Sequence, residues 1–244
     1  MNTFLLDAAA AVIAFFLSLI PILIWLSFWL FEDGKHPEPK KYLLLAFVAG
    51  MASVFLVLPL EAAAASYVPM SFFLLLTWAF IEETAKFGFA WFTVLRLPTC
   101  DEPIDIPIYL ITTALGFSAV ENAFFLFKPV MNGIISQTLQ TGDLRFIGAT
   151  LIHVLSSALI GGALALVFYQ ERARKIVYGT LGVILAVFLH AFFNFLIILK
   201  GAGSVLTVFM LVWVGIVFLL LALERVKEVE RPQWWEKTFM KRNV

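Results

Sequence analysis

The sequence predicts an all-α membrane protein, a bundle of about seven transmembrane helices. Apolar residues make up 62% of its 244 residues and only 14% are charged, whereas water-soluble domains carry about 25% charged residues. Seven runs are long enough to cross about 30 Å of hydrocarbon at about 1.5 Å per helical residue. We therefore expect a multi-pass protein of the cell membrane, surrounded by the lipid bilayer.

Charge and cysteine content exclude several other classes of protein. The net charge is zero, so no electrostatic argument favours nucleic acid as a partner. Cys100 is the single cysteine, which excludes an intramolecular disulfide and a metal cluster held by several thiolates. No soluble domain is expected beside the membrane domain, residues 1–223. Residues 224–244 are expected to form a basic cytoplasmic tail that contains Trp234 and Trp235.

The predicted spans follow one another with short connections. In chain order they cover residues 6–31, 42–60, 70–95, 106–127, 146–169, 176–199 and 203–223. Pro21 is expected to kink the first span. In the second span, Ala46 and Gly50 are small residues four positions apart, which predicts close packing against a neighbouring helix.

The orientation follows from the basic residues between the spans. All but four of the 17 Lys and Arg residues lie in the odd-numbered connections or the C-terminal tail. Such connections stay in the cytoplasm. The sequence therefore predicts the N-terminus outside the cell and the C-terminus in the cytoplasm.

Ionisable residues in the interiors of the spans are confined to the third through sixth spans, residues 70–199. These residues and the amides beside them are Glu82, Glu83, Lys86, Glu121, Asn122, His153, His190 and Asn194. An ionisable group at membrane depth costs at least about 2.5 kcal/mol, so such groups need partners inside the protein. At the helical rise Glu82, Glu121, His153 and His190 lie about 9 to 18 Å from the outer face. The distribution predicts one polar site in the outer half of the membrane.

Helical spacing predicts how these side chains are arranged. Glu82 and Lys86 are four residues apart, which makes an ion pair available. His190 and Asn194 share a helix face in the same way. Glu83 is turned about 100° from Glu82, so one carboxylate is expected to react and the other to act as a brace. The spacing does not say which one reacts.

Two chemistries fit this site. A buried carboxylate can serve as a general base or acid that activates water. Alternatively, His153, His190 and a glutamate, with Glu121 as the candidate, could hold a zinc ion. In either case Asn122 or Asn194 could donate hydrogen bonds to the oxyanion of a cleaved amide.

Four stretches in successive spans resemble the motifs of the PrsW family of intramembrane proteases. They are Glu82-Glu83-Thr-Ala-Lys86 for E-E-x-x-K, Phe117-Ser-Ala-Val-Glu121 for F-x-x-x-E, His153, and His190-Ala-Phe-Phe-Asn194. The resemblance covers roughly residues 32–194. The family is similar to the CAAX prenyl proteases and bacterial Abi proteins, which usually show E-E-x-x-x-R and F-x-x-x-H. Lys86 and Glu121 place this chain nearer to PrsW.

The resemblance implies an endopeptidase that cuts a single-pass membrane protein near its extracytoplasmic side, anti-sigma factors being the known substrate type. The expected catalytic residues are Glu82, Glu83, Glu121, His153, His190 and Asn194. The expected supporting residues are Lys86, Phe117 and Asn122. His153 departs from the family pattern, because Ser157 rather than a carboxylate or amide follows four positions later.

The need for a metal is left open by the sequence. The family is commonly described as metalloproteases, which makes zinc the candidate cofactor. Two adjacent carboxylates on one helix are not the H-E-x-x-H spacing that delivers two ligands to one zinc ion. The spacing therefore favours catalysis by glutamate and histidine without an obligatory metal.

Two other functions use the same kind of buried polar cluster. Chains of buried Glu, His and Lys also serve as proton relays in transporters and channels. The sequence shows neither the repeated halves nor the paired broken helices of transporters. A catalytically inactive scaffold that binds single-span partners is the third possibility, and it would tolerate Glu82→Gln.

Overall fold

In the computed structural model, which describes residues 3–32, 37–199 and 205–233, the chain is helical and the described part contains no strand. The helices are α1 (Thr3–Glu32), α2 (Lys40–Tyr67), α3 (Phe72–Ala90), α4 (Asp105–Met131), α5 (Ile135–Leu144), α6 (Thr150–Leu166), α7 (Arg172–Asn194) and α8 (Val205–Lys227). Single π-helical turns extend α3 over Trp91–Leu95, precede α6 over Arg145–Ala149 and extend α7 over Phe195–Leu199.

Helix length and composition confirm the all-helical membrane architecture. Among the described residues, α1, α2, α4, α7 and α8 are long and apolar enough to cross a membrane. The two other predicted spans correspond to α3, which carries the ionisable residues Glu82, Glu83 and Lys86, and to α6, which has 17 residues. The count of seven spans and the orientation of the termini stay predictions.

Two helices differ from the sequence-based expectation. Helix α2 continues to Tyr67 instead of ending near residue 60, so Glu61 lies in a helix and not in a connection. Four alanines follow Glu61, and alanine is the strongest helix former. Helix α5 occupies a stretch that was expected to be a connection. Trp234, Trp235 and the rest of the predicted tail from residue 234 lie outside the described residues.

Helix α4 is the centre of the bundle and packs against α1, α2 and α6. Its crossing with α2 is close because both helices carry glycine there. A Cβ atom on Gly50 would lie 1.9 Å from the carbonyl oxygen of Thr113, and one on Gly116 would lie 2.0 Å from that of Phe47. The close packing predicted at Gly50 is therefore confirmed, and a larger residue at either glycine would push the two helices apart.

The polar residues lie inside this bundle and the apolar ones cover its outside. Helix α3 contacts α2 and α7, and α6 contacts α4 and α7. This arrangement leaves a polar layer between α3, α4, α6 and α7. Large side chains such as Phe16, Phe55, Phe188 and Phe218 are exposed on the outward faces of α1, α2, α7 and α8. Exposed apolar surface of this extent is what a bilayer would cover.

Candidate active site

The structure brings the predicted polar residues of α3, α4, α6 and α7 into one cluster. Glu82 is 5% exposed, Glu83 0%, His153 2% and His190 2%. The aromatic ring of Phe117 on α4 lies 5.1 Å from the His153 ring, and the His153 and His190 rings are 4.8 Å apart. The four helices that the sequence singled out therefore do share one buried polar layer.

Lys86, Glu83 and His190 form what we call the inner triplet. The Lys86 ammonium donates to Glu83 Oε1 at 2.6 Å, and His190 Nδ1 lies 2.7 Å from the same oxygen. An imidazole nitrogen next to a carboxylate at this distance carries the proton and donates it. Nδ1 of His190 is therefore the N–H nitrogen, and its Nε2 lone pair is directed elsewhere.

Arg145, Glu121 and His153 form the outer triplet. The Arg145 guanidinium donates to Glu121 Oε2, and His153 Nε2 lies 3.0 Å from that oxygen. On the other side of the ring, Lys86 Nζ lies 3.0 Å from His153 Nδ1. An ammonium group can only donate, so Nδ1 accepts from it and Nε2 carries the proton given to Glu121.

Glu82 lies between the two triplets. Its Oε2 atom is 3.6 Å from His153 Nδ1 and 3.8 Å from His190 Nε2. This oxygen is buried and has no hydrogen-bond partner within the described part of the chain. A buried carboxylate oxygen without a donor is costly, and here it faces the two imidazole nitrogens that are turned away from the bracing carboxylates.

Glu82, His153 and His190 could hold a metal ion, since one ligand atom from each lies within 4.8 Å of the others. Two histidines and a glutamate are the donor set of several catalytic zinc sites. Histidine ligands usually donate their other N–H to a carboxylate, as both rings do here. The ligand atom of His153 would be Nδ1, which accepts a hydrogen bond from Lys86 in this structure. If a metal took the place of that hydrogen bond, Lys86 would still have Glu83 as a partner. The residues present fit a metal, which favours the metal alternative that the sequence left open.

The structure corrects two details of the arrangement expected from the sequence. Lys86 pairs with Glu83, three residues away, and not with Glu82. Glu83 is therefore the brace. In the metal-ligand set, Glu82 takes the place that was expected for Glu121. The Glu121 carboxylate is held by Arg145 and contacts His153 at Nε2, on the side of the ring away from Glu82.

The predicted supporting residues Asn122 and Phe117 and the predicted catalytic residue Asn194 lie at three different places around the site. Asn122 is buried, donates from Nδ2 to Thr150 Oγ1 at 3.1 Å and accepts from Arg145 Nε. Both ends of its amide are thus used inside the protein. Asn194 ends α7 four residues after His190 and is partly buried. Phe117 lies under the Lys86 ammonium at 4.9 Å.

Two residues near the site were missed by sequence reasoning. Arg145 was counted as part of a connection, although a lone arginine just before a histidine-bearing span could have been noticed as a partner for Glu121. Glu61 was also placed in a connection. Its carboxyl group is close enough to interact electrostatically with that of Glu82, so α2 also borders the site.

A second polar cluster lies at the other end of α4, away from the site. Glu38 is buried and accepts a hydrogen bond from the Tyr109 hydroxyl group. Asp105 Oδ2 accepts the backbone N–H groups of Asp101 at 2.9 Å and Glu102 at 2.7 Å. Burial raises the pKa of Glu38. This cluster ties the segment before α2 to the start of α4.

Comparison with known proteins gives consistent matches. Residues 38–222 match the family model described as PrsW family intramembrane metalloprotease. A protein named Protease PrsW from Geobacillus kaustophilus (strain HTA426) is 28% identical over 219 residues, 85% of this chain and 89% of that protein. A second Protease PrsW, from Clostridioides difficile (strain 630), is 22% identical over 200 residues, 79% of this chain and 82% of that protein. No solved structure matches significantly.

Proposed function

The chain belongs to the PrsW family of intramembrane metalloproteases and is a multi-pass protease of the cell membrane, and we propose that it hydrolyses a peptide bond with Glu82, His153 and His190 holding a zinc ion. The carrying observation is the convergence of these three side chains, with a bracing carboxylate behind each imidazole. The placement of the family beside the CAAX proteases and Abi proteins is part of this proposal.

Each of the neighbouring carboxylates has a separate task in this proposal. Glu83 and Glu121 are committed to the two imidazoles, and Glu82 is a ligand. A bound zinc ion would supply Lewis-acid activation of water and of the peptide carbonyl group. Glu61 is the carboxylate beside Glu82 that braces no histidine. We assign to it acceptance of the proton from the attacking water and its transfer to the leaving amine.

The oxyanion that forms on the cleaved carbonyl group needs a hydrogen-bond donor. Asn122 is unsuited, because its Nδ2 donates to Thr150. Asn194 follows His190 by one helical turn and makes no side-chain hydrogen bond with the described residues. We therefore assign the oxyanion contact to Asn194.

The substrate we propose is a single-pass membrane protein of the anti-sigma-factor type, cut near its extracytoplasmic side. Access to the site supports this choice. The Glu121 and Arg145 side chains are 19% and 14% exposed, whereas the side chains of Glu82 and His153 are 7% and 2% exposed. The mouth of the site thus lies at the end of α4 that leads to α5, which the basic-residue count places outside, with the N-terminus outside and the C-terminus in the cytoplasm.

The test is cleavage of a fluorogenic single-span substrate by the full chain in liposomes. Wild type is expected to cleave, and Glu82→Gln and His190→Ala are expected to bind the substrate without cutting it. Glu171→Gln is the matched control, because Glu171 is 73% exposed and lies at the start of α7, 19 residues before His190. Cleavage that persists in Glu82→Gln and His190→Ala would overturn the proposal. Proton flux without a peptide product would point to a transporter.

A further inference from the structure

We propose that Arg145 is a positioning residue of this site: it fixes the Glu121 carboxylate, which in turn fixes the His153 ring. This inference rests on the proposed function. Arg145 belongs to none of the recognised motifs. It lies in the π-helical turn between α5 and α6, outside the helices that carry the other members of the cluster.

The Arg145 guanidinium is fixed by three neighbours on one stretch of α4. It donates from Nη2 to Glu121 and from Nε to Asn122, and it lies 3.9 Å from the ring centroid of Phe125. Asn122 in turn donates to Thr150 at the start of α6. These contacts hold the planar guanidinium in one orientation, which a flexible lysine ammonium would not reproduce fully.

The orientation of Glu121 decides what His153 presents to the site. Glu121 Oε2 accepts from both Arg145 and His153 Nε2, the latter at 3.0 Å. This keeps the proton on Nε2 and leaves Nδ1 as the acceptor on the side of the ring that faces Lys86 and Glu82. Without Arg145, the partly exposed Glu121 carboxylate is free to turn towards water, and His153 loses the group that fixes its ring and its tautomer.

A purely structural role does not explain this contact. The Arg145 and Glu121 side chains are 14% and 19% exposed, so this pair is expected to contribute less to stability than a fully buried pair does. Arg145→Gln is therefore expected to leave the fold intact. Its effect is expected at the chemical step, through Glu121 and His153.

The first experiment is a double-mutant cycle on the full chain, measured by kcat and KM for the single-span substrate. We expect Arg145→Gln to lower kcat by about 10- to 100-fold, the usual effect of losing a group behind a ligand, with KM nearly unchanged. Arg145→Lys is expected to recover part of the loss. The double variant Arg145→Gln/Glu121→Gln is expected to be no slower than Glu121→Gln alone, since both changes act on one contact. Arg174→Gln, at an exposed arginine, is the control.

The second experiment needs no substrate and uses the chain's three histidines. In ¹⁵N NMR spectra, Arg145→Gln is expected to shift the His153 ring nitrogens as Glu121→Gln does and to leave those of His190 unchanged. Additive losses in the cycle, a loss confined to KM, or unchanged His153 signals would overturn the role of Arg145. If wild type cleaves nothing, the proposed function fails, and the NMR result still decides whether Arg145 orients His153.

Discussion

The inner and outer triplets present the same order of groups, a cation, a carboxylate and an imidazole, in different surroundings. In the inner triplet no side chain is more than 2% exposed. In the outer triplet the cation is 14% and the carboxylate 19% exposed, and only the imidazole is fully buried. Breaking a fully buried charge pair costs about 3–5 kcal/mol, whereas exposed pairs contribute about 0–1 kcal/mol. The inner triplet is thus expected to support both fold and function, and the outer triplet to contribute less to the fold and mainly to function.

The largest effect is expected from breaking the inner triplet with Glu83→Gln. Lys86 would be left as a buried cation without its carboxylate, so the free energy of unfolding should fall by about 3 kcal/mol or more. Cleavage should be lost with it. Denaturant unfolding of the purified chain in detergent measures the first effect, with Glu171→Gln as an exposed control. An unchanged free energy of unfolding would contradict the expectation that the inner triplet contributes more to stability than the outer one.

Glu61→Gln tests whether the chemistry occurs between the triplets. We expect kcat to fall by about 10²- to 10⁴-fold, the usual contribution of a general base, while bound metal and the free energy of unfolding stay near the wild-type values. Single-turnover cleavage and metal analysis provide the two readouts. A Glu61→Gln enzyme with wild-type kcat would remove Glu61 from the mechanism.

Breaking the outer triplet with Glu121→Gln should separate function from stability. Zinc affinity or kcat is expected to fall by about 10- to 100-fold, because His153 loses its bracing carboxylate. The midpoint of unfolding should move little, since Glu121 is partly exposed. Competition with a chromophoric chelator gives the zinc affinity. A loss of stability as large as that of Glu83→Gln would contradict the comparison.

The smallest effect is expected at Glu38, far from both triplets. Glu38→Gln keeps a hydrogen-bond acceptor for the Tyr109 hydroxyl group and removes a buried ionisable group whose pKa burial raises. Cleavage should stay within about twofold of wild type, since no group of the site is touched. A large loss of kcat in the same cleavage assay would mean that this distant cluster is coupled to the site.

The same comparison shows how much the sequence could predict. Lys86 lies three residues after Glu83 and four after Glu82, so helical spacing places it near both carboxylates, although it was expected to pair with Glu82. Their partner His190 lies on another span at similar depth, and hydropathy with the helical rise is enough to predict that layer. The four site-bearing helices were therefore predictable before the structure was known.

The members supplied by irregular or extended elements were not predictable in this way. Arg145 contacts Glu121 from the π-helical turn that follows α5. Hydropathy predicts neither this turn nor α5. Glu61 reaches the site because α2 continues past the apolar run that marked its predicted end. The exchange of partners among Glu82, Glu83 and Lys86 depends on side-chain rotamers, which sequence spacing leaves open.

The most direct test of the central claim is the metal content of the purified full chain, measured together with its cleavage activity. We predict about one zinc ion per chain in active wild type, lost in Glu82→Gln, His153→Ala and His190→Ala but retained in Glu61→Gln, with activity removed by a chelator and restored by zinc. Full cleavage activity in chelator-treated wild type that contains no metal would contradict the account.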